Sequence, residues 1–324
     1  MGNETDRLSL LAIKAKIVDD PLHALSPWND SIHFCQWQGV MCGRKHQRVI
    51  ALDLQSSELV GSISPHLGNL SFLREVQLQN NSFGNEIPPE IGQQVPVELG
   101  SLSKLETIII RNNNLTRSIS PFANLPSLLI LSLANNYFDG NIPDGFGRLK
   151  NLQELILGIN RSIPVSMSNA SQLHYLLLLQ NKLTGKVPNL ARLQNLQWLC
   201  IWDNQLGSGE ADDFSFMFSL INATNLQRLE VSMNNFSGKL PEYIGNLSRN
   251  LEYLYVDHNQ IFGSIPPGIV NLVGLQSLLM QVNQFTSTIP IEIGKVQNLH
   301  ELILYINSLD PETQFLNMKD YQIT

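Results

Sequence analysis

Two cysteines and two histidines lie close together near the start of the chain and could hold a metal ion. Cys35 and Cys42, with His33 and His46, offer the thiolate and imidazole ligands that zinc prefers. Six residues separate the two cysteines, which is wider than the usual spacing of about two to four residues in zinc motifs. The spacing therefore favours a disulfide between Cys35 and Cys42, and we expect neither a metal site nor a cofactor.

Three carboxylates form the other cluster that could do chemistry. Glu210, Asp212 and Asp213 could act as a paired acid and base. They directly precede an apolar run over residues 214–221, and acidic side chains in that place commonly begin helices. The sequence shows no ordered serine, histidine and aspartate set and no phosphate-binding loop. We therefore expect the chain to have no catalytic residues.

The composition excludes several classes of protein. The 324 residues carry 28 acidic and 21 basic side chains, a net charge of −7, which argues against binding to nucleic-acid phosphates. No apolar run approaches the roughly 20 residues that span a bilayer. Residues 1–6 lack the basic and apolar segments of a secretory signal peptide. The chain as given is therefore expected to lack both a signal peptide and a transmembrane segment.

Ten Asn-x-Ser/Thr sequences nevertheless favour a secreted and oxidising context, which also favours the disulfide. The tenth, Asn160, falls at a repeated asparagine position of the chain and is not included among the candidates. The candidates for glycosylation are Asn3, Asn29, Asn69, Asn80, Asn114, Asn169, Asn222, Asn235 and Asn246.

A repeat of about 24 residues dominates the chain. Its pattern is Leu-x-x-Leu-x-Leu-x-x-Asn-x-Leu-x-Gly-x-Ile-Pro, and successive repeats begin 21 to 32 residues apart. Asparagine occupies the ninth position of every repeat but the first, which has Ser57. The eleven repeats begin at Val49, Leu73, Leu105, Leu128, Leu152, Leu173, Leu196, Leu226, Leu251, Leu275 and Leu299.

The repeat has a direct structural meaning. Its fourth and sixth residues alternate along a short strand and point into a core, while positions three, five, seven and eight face outward. The ninth asparagine can satisfy backbone groups where the chain leaves the strand. One repeat cannot bury its apolar face alone, so the repeats must stack. We therefore predict an open α/β solenoid with a parallel, concave sheet and a convex face of loops.

The chain resembles the plant-specific leucine-rich-repeat proteins. The segments Phe138–Pro143 and Ile261–Pro266 carry their Leu-x-Gly-x-Ile-Pro signature, with Phe or Ile in place of Leu. Residues 3–17 and the segment Cys35–Cys42 resemble the N-terminal cap of plant receptor-kinase ectodomains. Within that family, the resemblance implies a right-handed superhelix and an N-terminal helical cap, in which we expect Asp6 to cap the helix.

The turns at Gly68 and Gly245 and the long seventh repeat, with its segment 212–216, narrow the resemblance. They are similar to the immune-receptor subfamily that includes the rice bacterial-blight-resistance receptor kinase. The resemblance implies three regions: an N-terminal cap over residues 1–48, about eleven repeats over residues 49–309, and an irregular tail over residues 310–324.

The sequence departs from the family pattern in four places. Residues 93–100 form an insertion that we expect to bulge on the convex side, and the fifth repeat lacks three residues after Asn160. The tail has no second cysteine pair, and the chain shows neither a membrane span nor kinase signatures. We interpret the chain as part of a receptor ectodomain, with kinase activity only if the full-length protein has a kinase domain.

The outward positions of repeats five to nine predict a binding surface. They carry clustered aromatic and apolar side chains, where binding energy tends to concentrate. The alternative explanations are tolerance of apolar residues on a shielded concave surface and contact with an inserted loop. Cys200, at the fifth position of its repeat, is expected to be an incidental surface cysteine. The predicted ligand-binding residues are Ile156, Tyr175, Leu177, Leu179, Trp198, Trp202, Tyr253, Tyr255, Asp257 and His258.

These observations leave three functions open. The resemblance implies an extracellular domain that recognises a peptide or protein in immune or developmental signalling, at the outer face of the plasma membrane, with a co-receptor kinase as a possible partner. A secreted inhibitor similar to the polygalacturonase-inhibiting proteins is the second. A truncated, non-functional receptor fragment is the third.

Overall fold

The computed structural model describes residues 2–91, 102–158 and 161–310, and the chain forms two compact units, Met1–Asn160 and Arg161–Thr324. The predicted insertion at 93–100, the ladder position Asn160 and residues 311–324 of the predicted tail lie outside the described residues. None of the described helices is long and apolar enough to cross a membrane.

In its described residues, the first unit contains one α-helix, eleven strands and a series of short 3₁₀ helices. The 3₁₀ helices are Phe34–Gln36, Pro65–Asn69, Pro89–Ile91, Ser120–Asn124 and Asp144–Arg148. The other elements are α1 (Gly2–Lys14), β1 (Ile17–Asp19), β2 (Val40–Cys42), β3 (Val49–Asp53), β4 (Val60–Ser62), β5 (Glu75–Gln77), β6 (Ser82–Glu86), β7 (Thr107–Ile109), β8 (Asn114–Arg117), β9 (Ile130–Ser132), β10 (Tyr137–Phe138) and β11 (Glu154–Ile156).

Two sheets run through the first unit. Strands β3, β5, β7, β9 and β11 pair in parallel, one per repeat, and β2 closes their edge in antiparallel orientation. The second sheet pairs β4, β6, β8 and β10 in parallel, with β1 antiparallel to β4. The parallel sheet expected from the repeat is therefore present in this unit.

The second unit repeats the arrangement. Its 3₁₀ helices are Val165–Asn169, Asp213–Ser215, Glu242–Asn246, Pro267–Asn271 and Ile291–Lys295. The other elements are β12 (Tyr175–Leu177), β13 (Thr184–Gly185), β14 (Trp198–Cys200), β15 (Gln205–Leu206), α2 (Phe216–Ser219), β16 (Arg228–Glu230), β17 (Ser237–Gly238), β18 (Tyr253–Tyr255), β19 (Gln260–Gly263), β20 (Ser277–Leu279), β21 (Gln284–Ser287), β22 (Glu301–Ile303) and β23 (Ser308–Leu309).

The main sheet of the second unit is wholly parallel. Strands β12, β14, β16, β18, β20 and β22 pair without a shift of register, so equivalent positions of successive repeats lie side by side. The repeat's apolar positions fill the core beneath it: Leu251, Leu254, Val256 and Ile261 of the ninth repeat are all fully buried. Burial of each such side chain stabilises the fold by about 1.5–3 kcal/mol.

The ninth-position asparagines form a continuous hydrogen-bonded ladder within each unit. The Asn259 amide donates to the carbonyls of Val231, Val256 and Asp257 at 3.0–3.1 Å, and its Oδ1 accepts the Phe236 N–H at 3.1 Å. Each described member donates to the carbonyl at position six of its own repeat. The described members are Asn81, Asn113, Asn136, Asn181, Asn204, Asn234, Asn259, Asn283 and Asn307.

The N-terminal cap is held together by a disulfide and stacked indoles. Cys35 and Cys42 are bonded, which confirms the favoured pairing. Trp28 and Trp37 are buried and stack with ring centroids 5.4 Å apart. The indole N–H of Trp28 donates to the Gln38 carbonyl at 3.0 Å, so the buried ring keeps a polar partner.

Asp6 has a different role from the predicted helix cap. Helix α1 already begins at Gly2, so Asp6 lies inside it and its fully buried carboxylate turns towards β3. It accepts two hydrogen bonds from the Arg48 guanidinium, at 2.7 and 2.9 Å, and one from the Val49 N–H at 2.9 Å. The carboxylate therefore fastens the helix to the first strand of the repeats.

We expect Asp6→Ala to lower the free energy of unfolding by about 3 kcal/mol, because it leaves the Arg48 guanidinium largely buried without its partner. Asp30→Ala is the matched control, since Asp30 pairs with Arg7 but is 84% exposed, and should cost less than about 1 kcal/mol. Urea denaturation measures both, and equal losses would contradict the assigned role of Asp6.

Replacing one ladder asparagine should lower the free energy of unfolding by a similar amount. Asn259→Leu removes a donor from three carbonyls and an acceptor from one N–H, for an expected loss of about 3 kcal/mol. Asn298→Leu serves as the control, because that exposed amide makes one bond, to the Val273 carbonyl at 3.0 Å. The ladder's importance would be refuted by similar urea midpoints for the two variants.

Candidate ligand-binding surface

Each main sheet has one face turned away from the core, and we call it the open face. It is formed by positions three, five, seven and eight of each repeat. In the second unit, the strand register places Tyr175, Trp198, Arg228 and Tyr253 side by side at position three. All four side chains are half-buried, so each keeps some surface accessible to a ligand.

A stacked trio lies at the centre of this row. The Arg228 guanidinium carbon lies 4.1 Å from the centroid of the Tyr253 ring and 5.0 Å from that of Trp198. Sequence reasoning missed Arg228, although its position between two aromatic residues at position three was a usable signal. The two rings hold the guanidinium by cation–π attraction, so the trio is ordered before any ligand arrives.

The next row contains a buried thiol and a carboxylate. Cys200 is only 2% exposed, which makes the prediction of a surface cysteine wrong. The register places it between Leu177 and Glu230, and its short side chain is covered by these longer neighbours. Its Sγ lies 3.3 Å from Glu230 Oε2. Burial, with the nearby Glu230 charge, raises the pKa of the Cys200 thiol to about 12, so the thiolate needed for reactivity is scarce.

Tyr255 and Glu230 occupy neighbouring strands of the same row. Burial is the main reason why the pKa of Glu230 lies above its ordinary value. Burial likewise raises the pKa of the Tyr255 hydroxyl. Tyr253 and Tyr255 meet edge to face, with ring centroids 6.1 Å apart. The aromatic cluster predicted for the ninth repeat is thus a packed unit and not two independent side chains.

The seventh positions carry a different chemistry. Asp257 is only 7% exposed and accepts hydrogen bonds from the Ser232 hydroxyl and, at 2.8 Å, from His258 Nδ1. His258 itself is exposed. Trp202, at the same position two repeats earlier, is half-buried on the open face.

The structure corrects part of the predicted binding surface. Leu177 is 9% exposed and therefore contributes to packing more than to the accessible face. Leu179 is half-buried. Ile156 is half-buried on the open face of the first unit, and the other nine predicted residues belong to the second. Binding by any of these residues stays a prediction.

The acidic cluster of the seventh repeat is structural. Asp213 is 2% exposed and accepts hydrogen bonds from the N–H groups of Ser208, Gly209 and Ser237, which ties the loop to the next repeat. Asp212 and Glu210 both lie 2.8 Å from Lys186 Nζ, and they raise its pKa above the ordinary value. Within the described ranges, no three histidine, cysteine or acidic side chains are grouped so as to hold a metal ion.

The glycosylation candidates differ little in accessibility. Eight of the nine asparagines are exposed. The exception is Asn169, which is half-buried and whose Oδ1 accepts a hydrogen bond from the Arg192 guanidinium at 2.6 Å. Modification at these positions remains a prediction, and Asn169 is the least favourable acceptor.

Family models match the N-terminal cap and four of the repeats. The leucine-rich-repeat N-terminal domain matches residues 3–43. The leucine-rich repeat matches residues 72–94, 127–149, 225–247 and 250–272.

Curated relatives of the chain include plant receptor kinases. A putative leucine-rich-repeat receptor-like serine/threonine-protein kinase of Arabidopsis thaliana is 33% identical over 303 residues, which cover 80% of this chain and 30% of the relative. The receptor kinase-like protein Xa21 of Oryza sativa subsp. japonica is 44% identical over 90 residues, 28% of this chain and 9% of the relative. The chain thus spans a third or less of the length of these two relatives.

Solved structures share the fold. The plant peptide hormone receptor RGFR1, in complex with RGF2, has a TM-score of 0.70 and 29% identity over 81% of this chain and 40% of that one. The Arabidopsis receptor kinase HAESA, in complex with the peptide hormone IDA and the co-receptor SERK1, has a TM-score of 0.66 and 26% identity. The match covers 98% of this chain and 60% of the HAESA chain.

A plant ice-binding protein also matches, with a TM-score of 0.74 and 25% identity over 95% of this chain and 96% of that one. The fold alone therefore does not determine function. The N-terminal domain and the repeats show that this chain is a plant-type leucine-rich-repeat protein, and it matches part of the length of plant leucine-rich-repeat receptor-like kinases.

Proposed function

We propose that this chain is the ligand-recognition region of a plant cell-surface receptor and that it binds a peptide or protein on the open face of its second unit. The observation that carries the proposal is the stacked trio of Trp198, Arg228 and Tyr253 on that face. Tryptophan, tyrosine and arginine are the residue types that most often dominate binding energy at protein interfaces.

The trio is suited to binding for a physical reason. Ordering a flexible arginine at an interface costs about 0.5–1.5 kcal/mol, and here the two rings already restrict the guanidinium. Tyr255 extends the same aromatic surface to the next row. A ligand would therefore meet a preformed, amphipathic surface of rings with a positive charge between them.

The related structures support the class of ligand. RGFR1 and HAESA were solved with peptide hormones, and HAESA also with a co-receptor. By analogy, we propose a peptide ligand, a co-receptor as second partner and a location at the extracellular face of the plasma membrane. Kinase activity is proposed only for a full-length protein with a kinase domain. Neither the curated relatives nor the open face favours inhibition of polygalacturonase.

Replacement of the aromatic side chains tests the surface. The probe is a pool of synthetic random-sequence peptides, blocked at both ends, from which the immobilised chain retains a reproducible subset measured by mass spectrometry. We expect Trp198→Ala, and separately Tyr255→Ala, to reduce retention at least about tenfold, as for interface residues worth more than 1.4 kcal/mol.

Tyr137→Ala is the matched control, because Tyr137 is a 70% exposed aromatic residue on a strand of the second sheet of the first unit. It should leave retention unchanged. The two test variants should keep the thermal unfolding midpoint of the unmodified chain to within about 5 °C, since both side chains are half-buried. Unchanged retention in both test variants would rule out the proposed surface.

A further inference from the structure

Two oxygen-bearing side chains lie side by side on the open face of the second unit. Asp257 and Gln281 occupy position seven of the ninth and tenth repeats, and each is only 7% exposed. The backbone bonds around them, from Val256 N–H to the Leu279 carbonyl at 2.9 Å and from His258 N–H to the Gln281 carbonyl at 3.0 Å, continue the register of the paired strands. The two backbones are therefore about 5 Å apart at this point.

Their hydrogen bonds leave an acceptor unpaired. Asp257 accepts from Ser232 in the preceding repeat and from His258, its neighbour in sequence. The Oε1 atom of Gln281 is buried and has no hydrogen-bond partner among the described residues. A buried acceptor without a donor costs about 1–3 kcal/mol, so such an atom in a folded protein calls for a partner that has not yet been identified.

The surrounding charge narrows the chemistry of that partner. Positions three, five, seven and eight of repeats six to eleven carry four carboxylates and one guanidinium. The guanidinium, Arg228, lies between two rings at position three, about 13 Å along the strand direction from position seven. The open face of this unit therefore carries more acidic than basic side chains, and Asp257 is one of the acidic ones. The four carboxylates are Asp203, Glu230, Asp257 and Glu301.

The adjoining side chain at position seven is aromatic. Tyr305 follows Gln281 at the equivalent position of the eleventh repeat and is 43% exposed. The row thus has a carboxylate on one side of the unpaired carbonyl oxygen and an aromatic ring on the other, and such a set of groups suits an organic cation. A divalent metal ion is less suited, because the part of the chain that the structure describes brings no three histidine, cysteine or acidic side chains together there.

We infer that Asp257 and Gln281 bind the side chain of a lysine or arginine residue in the peptide ligand. The inference rests on the proposed function and specifies the ligand's chemistry. An ammonium or guanidinium group carries several donors and no acceptor. It can pair with the Asp257 carboxylate and donate to Gln281 Oε1 together, which supplies both the missing donor and the opposite charge. A neutral donor would supply the missing hydrogen bond to Gln281 but not the charge opposite to that of Asp257.

Two matched pools of end-blocked random peptides test this inference on the full chain. The first contains lysine and arginine, and the second has Nε-acetyllysine and citrulline in their place. At low ionic strength, we expect the unmodified chain to retain the first pool at least about tenfold better, with lysine or arginine enriched at one position of the retained peptides.

The variants locate the site. Asp257→Asn keeps one acceptor oxygen, enough for either Ser232 or His258, and removes the charge. It should therefore abolish the preference between pools while peptides are still retained through Trp198 and its neighbours. Gln281→Leu should weaken the preference, and it decides the question if Asp257→Asn fails to fold. Asp53→Asn, which changes an exposed carboxylate at position five on the open face of the first unit, should have no effect.

The outcomes separate the two proposals. Equal retention of both pools by the unmodified chain would overturn the inference and leave the proposed function intact. A preference that survives both Asp257→Asn and Gln281→Leu would also overturn it. Retention of neither pool would overturn the proposed function, and the inference with it.

Discussion

The rest of this structure depends on how each repeat satisfies its backbone where it leaves the strand. Buried N–H and carbonyl groups at that turn have no strand partner, and each would cost about 1–3 kcal/mol if it were left unpaired. The ninth-position asparagine meets this need with one side chain that donates within its own repeat and to the preceding one, and that accepts from the preceding one. The ladder therefore sets the spacing of the repeats as well as stabilising them.

The regular repeat assigns some positions to the core and others to the surface. Positions one, four and six are committed to packing, while positions three, five, seven and eight vary without disturbing the ladder. These variable positions carry both groups of residues on the open face: the trio of Trp198, Arg228 and Tyr253, and the acceptor pair of Asp257 and Gln281. Their geometry is fixed by the register between strands, which places residues from different repeats in rows.

Properties that depend on the period were predictable from the sequence. The asparagine positions, the buried leucines and the outward rows all follow from spacing, and the short separation of Cys35 and Cys42 favoured their disulfide. Properties that depend on pairs of distant residues were not. The partner of Asp6 is Arg48, 42 residues away, and no local pattern reports such a pair. The burial of Cys200 depends on Leu177 and Glu230, which lie in the repeats before and after its own. The role of Arg228 likewise depends on the rings of Trp198 and Tyr253, which come from the repeats on either side of it.

The pairing of strands only with those of the adjacent repeats also determines how the chain can fold. Within each unit, every parallel strand meets one roughly a single repeat away in sequence, so each step closes a short loop at similar entropic cost. Folding can then start at any adjacent pair and propagate in both directions, as in other repeat proteins. The cap is the exception, because the link from Asp6 to Arg48 closes a longer loop across α1, β1 and β2. We therefore expect the cap to join a stack of repeats that has already formed, so that it acts as a late stabiliser and not as the folding nucleus.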